Sequence, residues 1–380
     1  MFGTVPTAYE RNSMNWRSAL VRPEVSVVAA IAVAAAGVAV VSFSTPAQAA
    51  MPTAATSCTH SPTPTPTTTT PTPTPTGSTG PVIDPSASPT VTATPSPTPT
   101  TTCPPTKPAE GVSLSAFPSS GRTIGIAYPI TVHFTHAVQH KQAAEAHMRV
   151  YVNGKLSTGA WMWQTDSSAM FRQRGFWPGH ATIVVKFTLH DVNLYESKQF
   201  RYLGRASTNR TYTLHTARAF VVKVDAIKDR MKIFVDGHLV KNFPVSLGKK
   251  GFETRSGIKT VMEKYPTRHM TSKLAGITDP NDQYDLWAPW AVRITWSGEF
   301  VHGAPWAAFR IGKWNGSHGC TNLLANDAKW FYDHSQEGDP VVTTGTKRPM
   351  EANNTIGGPY NIPWTTWLAH SKLKGHWPAV

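Results

Sequence analysis

The sequence is poor in acidic residues and in cysteine. It has 22 Asp and Glu against 36 Lys and Arg, a formal net charge of +14, and three cysteines, Cys58, Cys103 and Cys320. An excess of positive charge favours anionic partners such as nucleic acids, membrane surfaces or cell-wall polymers. The basic residues are scattered and do not form runs interleaved with aromatic residues. We therefore expect no nucleic-acid partner, whereas an anionic cell-wall polymer fits the charge.

Closely spaced metal ligands are also missing from the sequence. No CxxC or HExxH pattern occurs, although zinc sites commonly show one of them. An alternative zinc site made of His302, His318 and Cys320 would have no obvious fourth ligand. We expect no metal ion and no cofactor.

Long apolar runs are confined to the N-terminal segment. The run Val25–Phe43 follows a basic segment that ends at Arg22 and precedes the small residues Ala47-Gln48-Ala49. This order is typical of an export signal with a cleavage site, but the run is also nearly long enough to span a bilayer. We expect residues 1–49 to be a signal peptide or a membrane anchor, and to be the only contact with the membrane. The protein would then act outside the cytoplasm, in the cell envelope.

Residues 50–107 consist almost entirely of Pro, Thr, Ser and Ala. Such a composition cannot bury an apolar core and favours an extended, polyproline-like spacer. Cys58 and Cys103 lie near its two ends and can pair in an oxidising compartment. We expect a disordered linker that carries the folded part away from the N-terminal segment, and we note that Cys320 is left as an odd thiol.

Residues 108–216 alternate apolar and polar positions with period two. Examples are Ile130–Phe134 and Met148–Val152, the latter followed by the turn pair Asn153-Gly154. Short β-branched and aromatic runs joined by tight turns predict an antiparallel β-sandwich. Trp161, Trp163 and Trp177 are interpreted as core residues, with a sugar-binding platform as the alternative. Since no catalytic constellation appears here, the domain is expected to have a positioning role.

Residues 217–346 predict a second all-β domain with one helix. The helix is expected at Asn326–Ser335, with Asn326 or Asp327 as its cap. Residues 347–380 form a C-terminal extension whose Trp364 and Trp367 are expected to pack back on the body. The strands are predicted at Phe220–Val224, Met231–Val235, His238–Leu247, Ala291–Trp296 and Phe300–His302.

A candidate site surrounds the odd thiol. Cys320 lies two residues after His318 and eighteen residues after His302, and an imidazole is the usual base that activates a thiol. His302 lies on a predicted strand that can face the thiol, so it is the preferred base, while the His318 carbonyl could hold an imidazole. Backbone N–H groups of Gly319 and Cys320 are candidate oxyanion donors. A buried, inert cysteine with two structural histidines is the alternative.

The motif Ser317-His318-Gly319-Cys320-Thr321-Asn322, with His302-Gly303 upstream, resembles the signature of the L,D-transpeptidases of bacterial peptidoglycan. Residues 109–214 are similar to the immunoglobulin-like domain that precedes the catalytic domain in the actinobacterial members. The resemblance implies a mainly β fold: an immunoglobulin-like β-sandwich, then a catalytic β-sandwich with one short helix after the cysteine.

The resemblance also implies a reaction. Cys320 would attack the carbonyl of the third residue of a donor tetrapeptide stem, release the terminal D-alanine and form a thioester. His302 would act as general base and acid, with its other ring nitrogen held by the His318 carbonyl. An amine of an acceptor stem would then resolve the thioester into a 3→3 cross-link. Carbapenems would be expected to acylate Cys320.

Further site residues follow from the same resemblance. Tyr284 would contact the acyl group near the oxyanion, and Asn322 would brace the turn. The loop at residues 251–282 departs from the family pattern and is expected to form part of the lid over the cleft. Two alternatives remain: a non-catalytic cell-wall-binding protein, and an enzyme that attaches a protein to the stem. The substrate-binding candidates are Tyr284, Ser317, Asn322, Gly303, Trp306 and Met270.

Overall fold

The computed structural model of the protein describes residues 107–377, which form two β-sandwiches in succession. The expected signal or anchor at residues 1–49, nearly all of the expected linker and the Cys58–Cys103 pair lie outside the described residues. Among the helices that are described, none is long and apolar enough to cross a membrane. The mainly β fold class predicted from the sequence, with a short helix after Cys320, is confirmed.

The first sandwich contains twelve strands and one short helix. A five-stranded sheet in the order β3-β12-β9-β5-β6 packs on a four-stranded sheet in the order β2-β4-β8-β7, and a three-stranded sheet β1-β11-β10 covers one side. The elements are β1 (Ala109–Val112), β2 (Leu114–Phe117), β3 (Thr123–Ile124), β4 (Ile130–Phe134), α1 (Lys141–Ala146), β5 (Met148–Val152), β6 (Lys155–Leu156), β7 (Ala160–Trp163), β8 (Ser168–Arg172), β9 (Thr182–Thr188), β10 (Asn193–Glu196), β11 (Arg201–Gly204) and β12 (Asn209–Thr216).

Aromatic side chains fill the centre of the first sandwich. The Phe171 ring packs between Trp161 and Trp177, at centroid distances of 5.2 and 6.0 Å. Trp161, Trp163 and Trp177 are all buried, so their interpretation as core residues is confirmed. A sugar-binding platform is excluded because it would need exposed rings.

The second sandwich is built from nine strands and one longer helix. A five-stranded sheet β15-β14-β13-β21-β16 faces a four-stranded sheet β17-β18-β19-β20 across an apolar core. The elements are β13 (Phe220–Asp225), β14 (Arg230–Val235), β15 (His238–Pro244), β16 (Gly257–Thr260), β17 (Glu263–Thr271), β18 (Asp285–Arg293), β19 (Phe300–Gly303), β20 (Thr321–Leu323), α2 (Ala325–His334) and β21 (Pro340–Thr344), with α3 (Trp364–Ala369) in the C-terminal extension.

The strand and helix boundaries differ from the sequence-based prediction in a few places. The strand predicted at Ala291–Trp296 overlaps the end of the longer β18, which begins at Asp285 and ends at Arg293. The helix cap was wrong, because α2 begins at Ala325 with Leu324 as its N-cap residue and no side-chain cap. Leu324 occupies the N-cap position, and its side chain has no oxygen that could accept from the first N–H groups of the helix. Asp327 lies in the first turn, where its charge favours the helix dipole.

A polar contact joins the two sandwiches. Glu337, just before β21, accepts hydrogen bonds from Arg122 (2.7 Å) and from the Tyr128 hydroxyl (3.2 Å). The backbone adds bonds from Gly125 N to Glu337 O and from Ala127 N to Gly338 O, at 2.8 and 2.9 Å. The first sandwich is therefore held directly against the sheet that carries β21.

The C-terminal extension packs back on the body, as the sequence predicted, and the surface that it contacts belongs to the first sandwich. The Arg172 guanidinium lies over the rings of Tyr360, Trp364 and Trp367, at 5.1, 5.0 and 4.4 Å from their centroids. Trp367 is fully buried, and its Nε1 donates to the Ala160 carbonyl at 2.9 Å. The chain thus returns from the second sandwich to close on β7 and β8.

Substitution of Trp367 by Ala should destabilise the protein. A fully buried tryptophan lost from a packed site costs about 3–5 kcal/mol of the free energy of unfolding. Trp287→Ala is the control, because that ring is 65% exposed and should cost less than about 1 kcal/mol. Urea unfolding of both variants measures the difference, and equal losses would contradict the packing of the extension described above.

Candidate active site

Two parallel strands position the candidate nucleophile and base. β19 pairs with β20 so that Val301 lies opposite Thr321 and His302 opposite Asn322. Cys320 directly precedes β20, and residues two apart on a strand point to the same face. His302 and Cys320 therefore lie on the same side of the sheet, on neighbouring strands, and both line one cleft.

The turn that carries Cys320 is braced from behind. The Leu247 carbonyl accepts bonds from the backbone N–H groups of Gly316 and Ser317, at 2.8 and 2.9 Å. The Thr254 hydroxyl donates to the Gly319 carbonyl at 2.8 Å, and Asn315 Oδ1 accepts from Leu247 N at 2.6 Å. Sequence reasoning missed Thr254 and Asn315, since their contacts span more than sixty residues of chain.

His302 is buried and has a defined tautomer. Its Nδ1 donates to the Gly303 carbonyl at 2.8 Å, and because a carbonyl can only accept, Nε2 carries the free lone pair. The expected acceptor, the His318 carbonyl, was therefore wrong: the neighbouring residue on the same strand supplies it. Burial, which the Gly303 bond opposes and the Arg310 charge assists, lowers the pKa of His302 to about 4.

Cys320 is half-buried, and its Sγ contacts the Gly298 carbonyl at 3.8 Å. Burial raises the pKa of the thiol to about 12; a hydrogen bond from the Phe300 backbone and the charge of Lys259 oppose that rise. The pKa of the thiol lies above 7 and the pKa of the imidazole lies below 7, so both groups are uncharged at pH 7. The resting site therefore contains a neutral pair rather than a thiolate and an imidazolium.

The backbone around Cys320 offers fewer free donors than the sequence predicted. Gly319 has φ of +122°, a conformation open to glycine. Its N–H donates to Ser317 Oγ at 3.1 Å, while that hydroxyl donates to the Cys320 carbonyl at 2.6 Å. The Gly319 N–H is thus used within the turn. The Cys320 N–H remains as the candidate oxyanion donor.

His318 links the turn to the loop before β18. Its ring lies between Phe252 and Tyr284, at 4.8 and 5.0 Å between centroids. Its Nε2 contacts Asp282 Oδ1 at 3.3 Å, and the same carboxylate pairs with Lys249. Burial, partly opposed by the Asp282 contact, lowers the pKa of His318. These contacts connect the turn that carries Cys320 to the segment that precedes β18.

The cleft has a volume of about 940 Å³ and is lined in part by residues of β17, of β18 and of the segment that joins them. Met270, Tyr284, Trp306, Ser317 and Asn322 all line it.

The remaining candidates have more limited contacts. The Trp306 ring stacks on His302 at 6.0 Å. Asn322 braces the turn through its backbone, which exchanges two hydrogen bonds with Ser246, and not through its side chain. Gly303 does not line the cleft and contributes the carbonyl that orients His302.

A buried charge cluster lies beneath Cys320 and was not found from the sequence. Glu299 accepts from Lys259 Nζ at 2.8 Å and from Arg255 at 2.9 Å. Arg255 also pairs with Glu351, whose side chain is 49% exposed. Glu299 directly follows Gly298, so the cluster fixes the carbonyl that contacts the thiol. The described residues contain no group of three His, Cys, Asp or Glu that could hold a metal ion.

The raised pKa of Cys320 predicts slow alkylation at neutral pH. Below the pKa of a thiol, the fraction present as thiolate rises about tenfold for each added pH unit. Iodoacetamide labelling of the Cys320 peptide, followed by mass spectrometry, should therefore accelerate continuously from pH 7 to pH 10. The same peptide in the urea-unfolded chain is the control and should level off above pH 9. A plateau near pH 7 in the folded protein would show a thiolate instead.

Glu299→Gln should be far more destabilising than Glu351→Gln. Removal of the buried carboxylate leaves Lys259 without its partner, and breaking a buried pair costs about 3–5 kcal/mol. Glu351 contacts the same arginine from an exposed position, so its loss should cost below about 1 kcal/mol. Urea unfolding measures both values. Similar losses for the two variants would contradict the assignment of Glu299 as the centre of the cluster.

Two family models match the chain. Residues 219–343 match an L,D-transpeptidase catalytic domain, and residues 86–193 match a bacterial Ig domain. The exact limits of the two domains, 108–216 and 217–346, stay a prediction.

Similar proteins come from mycobacteria. L,D-transpeptidase 2 of Mycobacterium tuberculosis is 30% identical over 263 residues, which cover 66% of this chain and 60% of that protein. This chain thus spans less than two thirds of that relative. L,D-transpeptidase 1 of Mycobacterium tuberculosis is 30% identical over 232 residues, 61% of this chain and 84% of that protein.

A solved structure of an L,D-transpeptidase is also similar to this chain. The structure of LD transpeptidase LdtMt1 in complex with imipenem superposes with a TM-score of 0.50 at 29% identity, covering 63% of this chain and 100% of that one. Together with the motif turn, the cleft and the catalytic-domain match, these relatives show that the chain belongs to the L,D-transpeptidase family.

Proposed function

We propose that this protein is a cysteine-dependent acyltransferase that forms 3→3 cross-links between peptidoglycan stem peptides in the cell envelope. The observation that carries the proposal is that His302, on β19, and Cys320, directly before β20, lie on the same face of the paired strands. The unprotonated Nε2 of His302 can accept a proton at the cleft that Cys320 lines. Family membership supplies the substrate class.

The first half of the reaction forms a thioester. Nε2 of His302 takes the thiol proton while Sγ of Cys320 attacks the carbonyl carbon of the third stem residue. Because thiol and imidazole are both neutral at rest, proton transfer accompanies formation of the C–S bond. When the C–N bond breaks, the imidazolium returns the proton to the departing amine of D-alanine.

The second half consumes the thioester. An amine of the acceptor stem attacks the same carbonyl carbon and loses its proton to Nε2 of His302. The C–S bond breaks, and the sulfur regains a proton from the imidazolium. Atoms and charge balance over the cycle, and no cofactor is required.

Two groups that line the cleft can donate a hydrogen bond to the oxyanion that forms in each half. The Cys320 N–H is one, and the Tyr284 hydroxyl is the other. Burial, together with the nearby Cys320 sulfur, raises the pKa of Tyr284 to about 12. Its hydroxyl therefore stays protonated and can donate a hydrogen bond at neutral pH.

The N-terminal segments and the net charge of the chain are consistent with a function at the cell wall. An export signal or anchor at residues 1–49 and a Pro/Thr linker would hold the two sandwiches away from the membrane. The net charge of +14 favours anionic wall polymers near the substrate.

Incubation of the protein with a carbapenem tests the active site. Intact-mass spectrometry should show one drug-sized adduct on the wild type and none on Cys320→Ala. His302→Gln should slow adduct formation by about 10²–10⁴-fold, because the base is lost. His334→Gln, at the exposed end of α2, is the control and should react like the wild type. Folded wild type without any adduct would favour a non-catalytic wall-binding protein.

A further inference from the structure

Arg310 lines the wall of the cleft next to the turn that carries Cys320. It ends the 3-10 turn Pro305–Arg310 and lines the same cleft as His302 and Cys320. Its guanidinium lies against Gly316: a Cβ at that position would come within 3.0 Å of Arg310 Nη1. The absence of a side chain at Gly316 therefore gives the guanidinium its place beside the motif.

Arg310 differs from the other cations of the cleft in its contacts. Lys249 pairs with Asp282, Arg255 pairs with Glu299, and Arg348 donates to a backbone carbonyl at 3.5 Å. Within residues 107–377, Arg310 has no side-chain hydrogen bond or ion pair, and its Nε is buried without a partner. A buried, unpaired donor on a charged group is costly and calls for an explanation.

The charge of Arg310 reaches the reacting groups. It contributes to the lowered pKa of His302 and, more weakly, to that of His318. A planar guanidinium with free N–H groups is the side chain best suited to bind a carboxylate with two hydrogen bonds. An anionic group bound there would lie on the His302 side of the cleft.

We propose that Arg310 binds the carboxylate of the amino acid whose amine leaves or enters at His302. This inference rests on the proposed function. In the first half-reaction His302 protonates the amine of the departing D-alanine, and the carboxylate of that residue is attached to the same α-carbon. It must therefore lie close to His302, in the cleft that Arg310 also lines.

The same geometry applies to the acceptor. The incoming amine occupies the position that the D-alanine amine has left. A diamino acid with a carboxylate on the carbon that bears the transferred amine would present the same pair of groups. Arg310 thus selects donor stems that end in a free carboxylate after the fourth residue, and acceptors whose amine has a neighbouring carboxylate.

The test compares two donors on the full-length protein. One is a tetrapeptide stem ending in D-alanine, and the other is the same stem ending in D-alaninamide. Release of the terminal residue gives kcat/KM for each. Wild type should prefer the acid by roughly 10- to 100-fold, the range for a hydrogen-bonded charged partner. Arg310→Gln should lose this preference, and Arg310→Lys should keep part of it.

Lys313→Gln is the matched control, because it removes the same charge from an exposed position three residues later. It should keep the full preference for the acid. The preference is a ratio within one variant, so a smaller folded fraction does not alter it. Equal release of both donors by the wild type, or an unchanged preference in Arg310→Gln, would overturn the role of Arg310 and leave the proposed function standing. Release of neither donor by the wild type would overturn both.

Discussion

The parallel pairing of β19 with β20 is the constraint on which the site depends. It places His302 and Cys320 on one face although eighteen residues separate them, and it leaves those residues free to form the 3-10 turn and the motif loop. The pairing is supported from below by the Lys259–Glu299–Arg255 cluster and from behind by the Ser246–Gly248 segment. The position of the thiol is therefore set by contacts from four separate parts of the chain.

Burial determines the chemical state of the same pair. Removal of water disfavours both the thiolate and the imidazolium, so the thiol pKa rises and the imidazole pKa falls. An ion pair in the resting enzyme would be more nucleophilic, but also more open to oxidation and to unwanted alkylation. A neutral pair becomes reactive only when a carbonyl carbon is present to accept the sulfur electrons.

The sequence predicted the parts of the structure that depend on local pattern or on the motif. The strands Ile130–Phe134 and Met148–Val152 were found from their alternation, and some residues of the cleft, among them His302, Ser317 and Cys320, from the motif. The helices α1 and α3 were missed because six residues are too few to show helical periodicity. The acceptor of His302 Nδ1 was wrong, since a choice between two nearby carbonyls depends on angles that spacing does not encode.

The charged groups around His302 and Cys320 could not be predicted from the sequence. Lys259, Glu299 and Arg310 are ordinary charged residues in the sequence, and only the fold shows that two are paired beneath the thiol and one is unpaired beside it. The unpaired charge also explains how substrate binding can adjust the base. A carboxylate bound to Arg310 would cancel the positive field that helps to depress the pKa of His302. The imidazole would then accept the thiol proton more readily when the leaving or entering residue is in place, so that recognition of the carboxylate and activation of the nucleophile act through one guanidinium.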